Sequence, residues 1–389
     1  MRAALAHKAC VGIAALLIGA TLLAGCSDKK KVREPTPLAA ISNPAVRPHT
    51  VWTASTGGSG KYYSELRPGV EIDAIYTAGL DGRVSSYSLD KGKRLWSVNT
   101  KSRVAAGPSV SNDLVLVGTL DAEVIALKRT DGSEVWRAKL SSEALGPPVG
   151  EGGIVVARSI DGRVFGLDAS NGQRLWNFDR TVPELVLRGI SKPLISGTSV
   201  IVGMENGRAI ALGLTDGEPR WEQAISVPAG RTVLDRLVDI DGDMIEGDDC
   251  LYVASFGGEV ACLSPTSGEV GWRRGVKSYN SLALGGGKVL VSDESGVVWA
   301  LDQTSGAAAW KQEGLLYRRL SPPAYFGGYV VVGDFEGYLH WIDPSDGKIV
   351  ARTRVGSDPI IAQPMVGGDL LYVLNRDGKL AAISLPQKQ

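Results

Sequence analysis

The hydrophobic positions of this chain occur in short runs separated by glycine-containing turns, and the same order of runs and turns recurs eight times. Each unit starts with a short segment after a proline or small-residue turn. It continues with an aliphatic, β-branched stretch, such as residues 114–117 or 329–332. A first glycine turn leads to a third apolar stretch and a second one leads to a fourth. Each unit therefore predicts four short antiparallel strands.

Four positions define the repeat: a glycine, an apolar residue five positions later, a second glycine at ten and a tryptophan at fourteen. Gly162, Leu167, Gly172 and Trp176 form one copy. Successive copies begin 38 to 51 residues apart. A period of this length with four strands in each unit predicts an all-β fold, an eight-bladed β-propeller.

The two ends of the repeat region complement each other. The eighth copy ends at Gln389 before its fourth strand, whereas a strand around Trp52 precedes the first copy. We expect this N-terminal strand to complete the C-terminal blade and close the ring. The repeated tryptophans are predicted to pack blade against blade, although the seventh copy has Ala351 at that position. Trp299 and Trp341 stand outside the repeat position, and the sequence leaves open whether they are core or surface.

The first residues have the pattern of a bacterial lipoprotein signal. Arg2 and Lys8 precede an apolar run at 11–23, which is shorter than the about 20 residues that span a bilayer. The run ends in Leu-Ala-Gly-Cys at Cys26, which resembles the lipobox of bacterial lipoproteins. Ser27 follows the cysteine where an Asp would favour the inner membrane, so the resemblance implies the outer membrane, periplasmic face.

These features predict three segments. Residues 1–25 are a lipoprotein signal peptide, residues 26–48 are the lipidated Cys26 with a flexible tether, and residues 49–389 are the propeller. Several acyl chains anchor a protein stably, whereas a single chain binds membranes only marginally.

Composition narrows the class of function. Lys and Arg total 42 and Asp and Glu total 42, and this balance argues against a nucleic-acid partner. After signal removal the histidines are His49 and His340, so no pair has zinc-ligand spacing. The acidic run at 239–243 lacks the glycine and glutamate positions of a calcium loop. We expect no catalytic residue, no metal and no cofactor.

Two cysteines, Cys250 and Cys262, remain in the propeller. With a two-residue turn at Gly257 and Gly258, Cys262 pairs with Val253, three positions from Cys250. That offset places the cysteines on opposite faces of the hairpin, roughly 10 Å apart and beyond disulfide reach. We therefore predict two free thiols.

The repeat resembles the Trp-motif repeat of pyrroloquinoline-quinone enzymes, but their adjacent cysteines and metal-ligand cluster are missing here. A closer resemblance is to the BamB (YfgL) family, the lipoproteins of the β-barrel assembly machinery. Residues 332–342, Val-Gly-Asp-Phe-Glu-Gly-Tyr-Leu-His-Trp-Ile, look like a signature stretch of that family. The lipobox, tether and eight repeats extend the resemblance over nearly the whole mature chain.

Two further segments resemble that family's contact region for the barrel subunit BamA. Residues 183–189 are similar to its Leu-x-Leu-Arg-Gly loop, and residues 235–241 are similar to its Asp-Arg-Leu-x-Asp-x-Asp segment. Both lie in the two longest repeats, where extra length is expected in loops at one face. The alternative is that the two leucines are strand residues facing the core. The interface residues implied by the resemblance are Leu185, Leu187, Arg188, Asp239 and Asp241.

The resemblance implies a non-enzymatic scaffold. It would bind the periplasmic domains of BamA and other subunits of the complex, and it would assist insertion of β-barrel proteins, with unfolded outer-membrane proteins as candidate clients. One alternative is a periplasmic quinoprotein-like oxidoreductase or cofactor-binding propeller. Another is a peptidoglycan- or carbohydrate-binding lipoprotein that uses Tyr62, Tyr63 and Tyr325.

Overall fold

The computed structural model describes residues 33–56, 65–180, 191–227 and 238–386. In these ranges the chain forms β-strands and no helix, and the strands build eight sheets. Contacts divide the chain into a unit of residues 1–35 and a unit of residues 36–389, and all eight sheets belong to the second. The predicted eight-bladed β-propeller is therefore confirmed.

The first two strands are β1 (His49–Ser55) and β2 (Glu65–Leu66). The strands of blades 1 to 4 follow in chain order: β3 (Gly69–Val70), β4 (Ile75–Ala78), β5 (Arg83–Tyr87) and β6 (Arg94–Asn99); β7 (Val104–Ser111), β8 (Leu114–Thr119), β9 (Glu123–Lys128) and β10 (Glu134–Lys139); β11 (Val149–Glu151), β12 (Ile154–Arg158), β13 (Val164–Asp168) and β14 (Arg174–Phe178); β15 (Leu194–Ser196), β16 (Ser199–Gly203), β17 (Arg208–Gly213) and β18 (Pro219–Ala224).

The strands of blades 5 to 8 are β19 (Ile245–Glu246), β20 (Leu251–Ala254), β21 (Glu259–Leu263) and β22 (Val270–Gly275); β23 (Ala283–Gly285), β24 (Lys288–Ser292), β25 (Val298–Asp302) and β26 (Ala308–Gln312); β27 (Ala324–Phe326), β28 (Tyr329–Gly333), β29 (Tyr338–Ile342) and β30 (Ile349–Arg354); β31 (Met365–Gly367), β32 (Leu370–Leu374) and β33 (Lys379–Ser384). First strands of neighbouring blades contact one another, as β3 does with β7 and β31, so they surround the axis.

The ring is closed by the N-terminal strand. β1 pairs antiparallel with β33 as the outermost strand of blade 8, with His49 opposite Ser384 and Ser55 opposite Lys379. Trp52 lies in this strand and is nearly buried, at 9% exposure. The short β2 pairs in parallel with β7 and gives blade 2 a fifth strand at the axis. The predicted closure around Trp52 is therefore confirmed.

A tryptophan joins one blade to the next at seven junctions. Trp176 of blade 3 donates from Nε1 to the carbonyl of Leu214 in blade 4 at 3.0 Å. Its ring lies on Gly217, where a side chain would collide with the indole. The φ of Gly217 is 70°, a backbone conformation that favours glycine. The same contact recurs elsewhere: Trp52 with Leu89 and Gly92, Trp96 with Arg129 and Gly132, Trp136 with Ala169 and Gly172, Trp221 with Pro265 and Gly268, Trp272 with Gln303 and Gly306, and Trp310 with Pro344 and Gly347.

The junction between blades 7 and 8 is built differently. The last two strands of blade 8, β33 and β1, come from opposite ends of the chain, so no turn joins them and no turn glycine is available. Ala351 stands at the repeat position, and the fully buried Trp341 lies opposite it in the sheet and fills the space between the blades. Trp299 is half-buried instead and donates from Nε1 to the Asp293 carboxylate at 2.9 Å.

The hydrophobic core lies between the blades. Each main cluster contains residues from two consecutive blades; Val156 and Val164 of blade 3, for example, pack with Val200 and Ile210 of blade 4. A blade therefore buries its apolar faces only when both neighbours are in place. Among the described residues no segment has the helical length and apolarity needed to cross a membrane.

Cys250 and Cys262 form a disulfide, with Cα atoms 5.5 Å apart, so the prediction of two free thiols is wrong. The turn between β20 and β21 takes up more than two residues, and Tyr252 rather than Val253 lies opposite Cys262. Because side chains alternate along a strand, this change of one residue in register brings Cys250 to the same face as Cys262. The two cysteines become diagonal neighbours within disulfide reach.

We expect Trp176→Ala to lower the free energy of unfolding by about 3–5 kcal/mol, because it leaves a cavity between blades 3 and 4 and removes the hydrogen bond to Leu214. Urea unfolding followed by circular dichroism measures the loss. Leu175→Ala is the control, since the neighbouring side chain is 51% exposed and its removal should change stability by less than about 0.5 kcal/mol. Equal losses in the two variants would contradict this role of the tryptophan.

Candidate partner-binding face

The residues implied by the resemblance fall into two groups. Leu185, Leu187 and Arg188 lie outside the described residues. Asp239 and Asp241 are described, and they are 1% and 6% exposed. These two carboxylates therefore lie below the surface, in the connection that leads from blade 4 into blade 5.

The two long connections leave the ring at the same face. Each runs from the fourth strand of one blade to the first strand of the next, and in a ring of antiparallel four-stranded blades all such connections share one face with the turns between second and third strands. We call this the connection face. Residues 179–193 join blades 3 and 4, and residues 225–244 join blades 4 and 5.

The described ends of these connections meet over blade 4. The backbone N–H of Lys192 donates to Asp243 Oδ1 at 2.8 Å, which ties the first connection to the second. Ser191 and Ile240 both pack on Gly203 at the end of β16, where any side chain would collide with them. The described ends of the two connections are therefore held next to each other.

The start of the first connection is anchored by an ion pair across two blades. Arg180 donates from Nη1 and Nη2 to the Glu222 carboxylate at 2.9 and 2.7 Å, and Arg208 contacts the same carboxylate. Burial acts to raise the pKa of Glu222, but the hydrogen bonds from Arg180 and Arg208 outweigh it and hold that pKa below its ordinary value. The carboxylate is therefore charged at neutral pH and holds both arginines.

A buried ion pair lies beneath the described ends of the two connections. Arg158, at the end of β12, is 1% exposed and pairs with Glu205, which is 6% exposed and lies in the turn after β16. Arg158 also donates to the carbonyl of Gly203, the residue on which Ser191 and Ile240 rest. The pair thus fixes the turn of blade 4 that carries both connections.

A cavity of about 380 Å³ opens on the connection face near the axis. It is lined by residues that precede the first strands of blades 5 to 8, among them Asp241 and Gln363, and by Arg67 and Arg319. Burial raises the pKa of Tyr279 at its edge, and Glu294 adds to the rise, so the phenol stays protonated. Within the described part of the chain no group of three or more His, Cys, Asp or Glu side chains could hold a metal ion.

Sequence reasoning did not find the residues that hold these connections. Asp243 was visible only as the last acid of an incomplete calcium-loop pattern. In the structure it accepts hydrogen bonds from Lys192 and Arg67 instead. Arg158 is the last residue of one ordinary strand and Glu205 follows another, and nothing in the sequence pairs them.

Eight sheets, seven of four strands and one of five, are joined by recurrent Trp–Gly contacts, and they make this chain a β-propeller of the Trp-motif class. The family model described as "Outer membrane protein assembly factor BamB" matches residues 80–312 and 317–387. The protein of that name from Alkalilimnicola ehrlichii is 49% identical over 380 residues, which cover 97% of each chain. The chain belongs to the BamB family of outer membrane protein assembly factors, so the family resemblance found in the sequence is confirmed.

Solved structures agree on the fold. The crystal structure of BamB from Moraxella catarrhalis superimposes with a TM-score of 0.80 at 27% identity, over 87% of this chain and 100% of that one. A quinohemoprotein alcohol dehydrogenase from Pseudomonas putida HK5 also matches, with a TM-score of 0.72 at 13% identity over 89% of this chain and 77% of that one. The second likeness concerns the propeller fold alone.

We expect Arg158→Met and Glu205→Gln each to lower the free energy of unfolding by about 3–5 kcal/mol, because each leaves its partner's charge buried. The double variant should lose clearly less than the two losses added together, as measured by urea unfolding in a double-mutant cycle. The exposed pair Arg103–Asp121, 2.7 Å apart, is the control and should show a coupling of about 0.2–1 kcal/mol. Additive losses at Arg158 and Glu205 would contradict a buried pair.

Proposed function

We propose that this protein is a non-enzymatic scaffold lipoprotein of the outer-membrane β-barrel assembly machinery. It binds the periplasmic domains of BamA through the connection face and assists the insertion of β-barrel proteins. The observation that carries the proposal is the meeting of the two long connections over blade 4, where Lys192 is hydrogen-bonded to Asp243. Membership of the BamB family supports the same function.

The chemistry of the first connection suits a protein partner. Leu185 and Leu187 supply apolar contact, and Arg188 supplies a planar donor that can pair with a carboxylate. Arginine and buried apolar residues carry much of the binding energy in protein interfaces. Asp239 and Asp241 act from below, by shaping the second connection, because both are nearly buried.

The fixed ends of the first connection favour such an interface. The Arg180–Glu222 pair fixes the start of the first connection, and the Lys192–Asp243 hydrogen bond fixes its end. A loop held at both ends loses less conformational entropy on binding than a free one, so more of its contact energy appears as affinity.

The position in the cell follows from the N-terminal pattern. Lipidation of Cys26 attaches the chain to the outer membrane with the ring in the periplasm, where BamA and the other subunits of the complex present their soluble domains. The Cys250–Cys262 disulfide suits the oxidising periplasm. Unfolded outer-membrane proteins are the clients that the complex serves.

We expect Arg188→Glu and Leu185→Asp each to weaken binding to purified BamA periplasmic domains by about 30-fold or more, the loss typical of a central interface residue. Biolayer interferometry measures the affinity. Two matched changes far from the connection face serve as controls: Arg94→Glu in β6 and Leu175→Asp in β14, both exposed residues.

The controls should bind like the unchanged protein, and all four variants should keep its circular dichroism spectrum. Unchanged binding by the Arg188 and Leu185 variants would refute the site. Equal weakening by the control variants would show that the effect is one of net charge or solubility.

The non-enzymatic assignment is tested with the cofactor of the propeller enzymes. We expect saturating pyrroloquinoline quinone and calcium to produce no new absorbance band with the folded protein, since the adjacent cysteines and ligand cluster of those enzymes are missing from the sequence. A quinoprotein dehydrogenase carried through the same titration is the positive control. A band that saturates with cofactor would favour the oxidoreductase alternative.

A further inference from the structure

The segment that precedes the propeller lies along blade 7. Within residues 36–48, half-buried and exposed positions alternate over much of the length, as expected for an extended chain on a surface. Leu38 packs against the cluster between blades 6 and 7 that contains Trp310. Val46 packs against the cluster between blades 7 and 8 that contains Trp341.

Backbone groups of this segment are bound at three levels of the blade. Near its first residue, the N–H of Thr36 donates to the carbonyl of Leu316 at 2.9 Å, and Arg318 Nη1 donates to the carbonyl of Thr36 at 3.1 Å. In the middle, Arg352 Nη1 donates to the carbonyl of Ala39 at 3.1 Å. Near its last residue, the N–H of Ala45 donates to the carbonyl of Val350 at 3.1 Å.

The two arginines that hold the segment are themselves fixed by a buried network. Arg318 is 3% exposed and donates from Nε to Asp334 at 2.8 Å. The fully buried His340 lies between Asp334, 2.9 Å from its Nε2, and Arg352, whose Nε is 3.3 Å from its Nδ1. Burial lowers the pKa of His340, which agrees with a neutral ring that carries its proton on Nε2.

The N-terminal segment crosses from one face of the ring to the other before β1 begins. β33 runs from the turn at Gly378, on the connection face, to the opposite face, and β1 is antiparallel to it, so His49 lies at the opposite face. Leu316 and Arg318 belong to the connection between blades 6 and 7. From residue 36 to residue 48 the chain therefore runs along β30 from the connection face to the opposite face, so the residues before Thr36 leave the ring at the connection face.

We propose that residues 36–48 are a docking segment that makes the lipid-anchored N terminus leave the ring from the connection face, so that this face is turned toward the membrane. The inference rests on the proposed lipidation of Cys26. It also departs from a tether that is flexible as far as residue 48. The stretch of chain between Cys26 and the ring then ends at Thr36 and is about 35 Å long at full extension. It would be about 80 Å long if it ended at His49.

The first test asks whether the docking segment can be released from the blade. It measures amide hydrogen exchange on the full-length lipidated protein in detergent. We expect Leu38→Asp/Val46→Asp to speed exchange at the Thr36 and Ala45 amides by about tenfold or more, because both lose their carbonyl partners. Ala40→Asp/Ser42→Asp adds the same charge at exposed positions and should leave these amides protected. Fast exchange in the unchanged protein would overturn the proposal.

The second test measures which face of the ring is turned toward the membrane. It uses fluorescence energy transfer from labels on the protein to an acceptor on lipid headgroups, in vesicles of phosphatidylethanolamine and phosphatidylglycerol. Donor labels are placed at Lys277→Cys on the connection face and at Thr304→Cys on the opposite face, both exposed residues next to blade 6. We expect several-fold stronger transfer from position 277. In the Leu38→Asp/Val46→Asp background this difference should disappear.

The outcomes separate the two proposals. A protein that does not attach to the vesicles would refute lipidation and with it the proposed location. A protein that attaches but shows equal transfer from both positions would refute the docking segment alone.

Discussion

The contact of a tryptophan with a turn glycine of the next blade is the interaction on which this ring depends. Trp176 on Gly217 shows its two parts, a packed indole ring and an N–H donated to the carbonyl of Leu214. The main hydrophobic clusters lie between blades, so no blade has a complete core of its own. Stability is therefore shared round the ring, and closure by β1 completes the last junction instead of leaving two open sheet edges.

Because these contacts use strands and short turns, the connections between blades are free to vary. Two of them are long, and charged groups fix their described ends. Arg180 pairs with Glu222, and the N–H of Lys192 donates to Asp243. The Arg158–Glu205 pair lies beneath them and requires both charges, since either one alone would be buried without compensation. The ring thus holds the described ends of both long connections in fixed positions over blade 4.

The junction between blades 7 and 8 is where the N-terminal segment takes part in the packing of the ring. It lacks the turn that would accept a tryptophan, and Trp341 and Val46 fill the space from the sheet and from the N-terminal segment. The signature stretch 332–342 contributes Asp334 and His340, which fix the arginines that bind that segment. Two residues of the signature stretch therefore support the arginines that hold the N-terminal segment against the blade.

The sequence by itself determined the eight blades, the closure around Trp52 and the family, because glycine turns and tryptophans at fixed spacing act locally and repeat. Only the tertiary structure decided the rest. The Cys250–Cys262 disulfide depends on a register that differs by one residue, and turn length is not readable from a Gly-Gly pair. The Arg158–Glu205 pair and the docking of residues 36–48 join positions far apart in the chain, where no spacing rule applies. Such contacts form only after the ring has brought the two surfaces together.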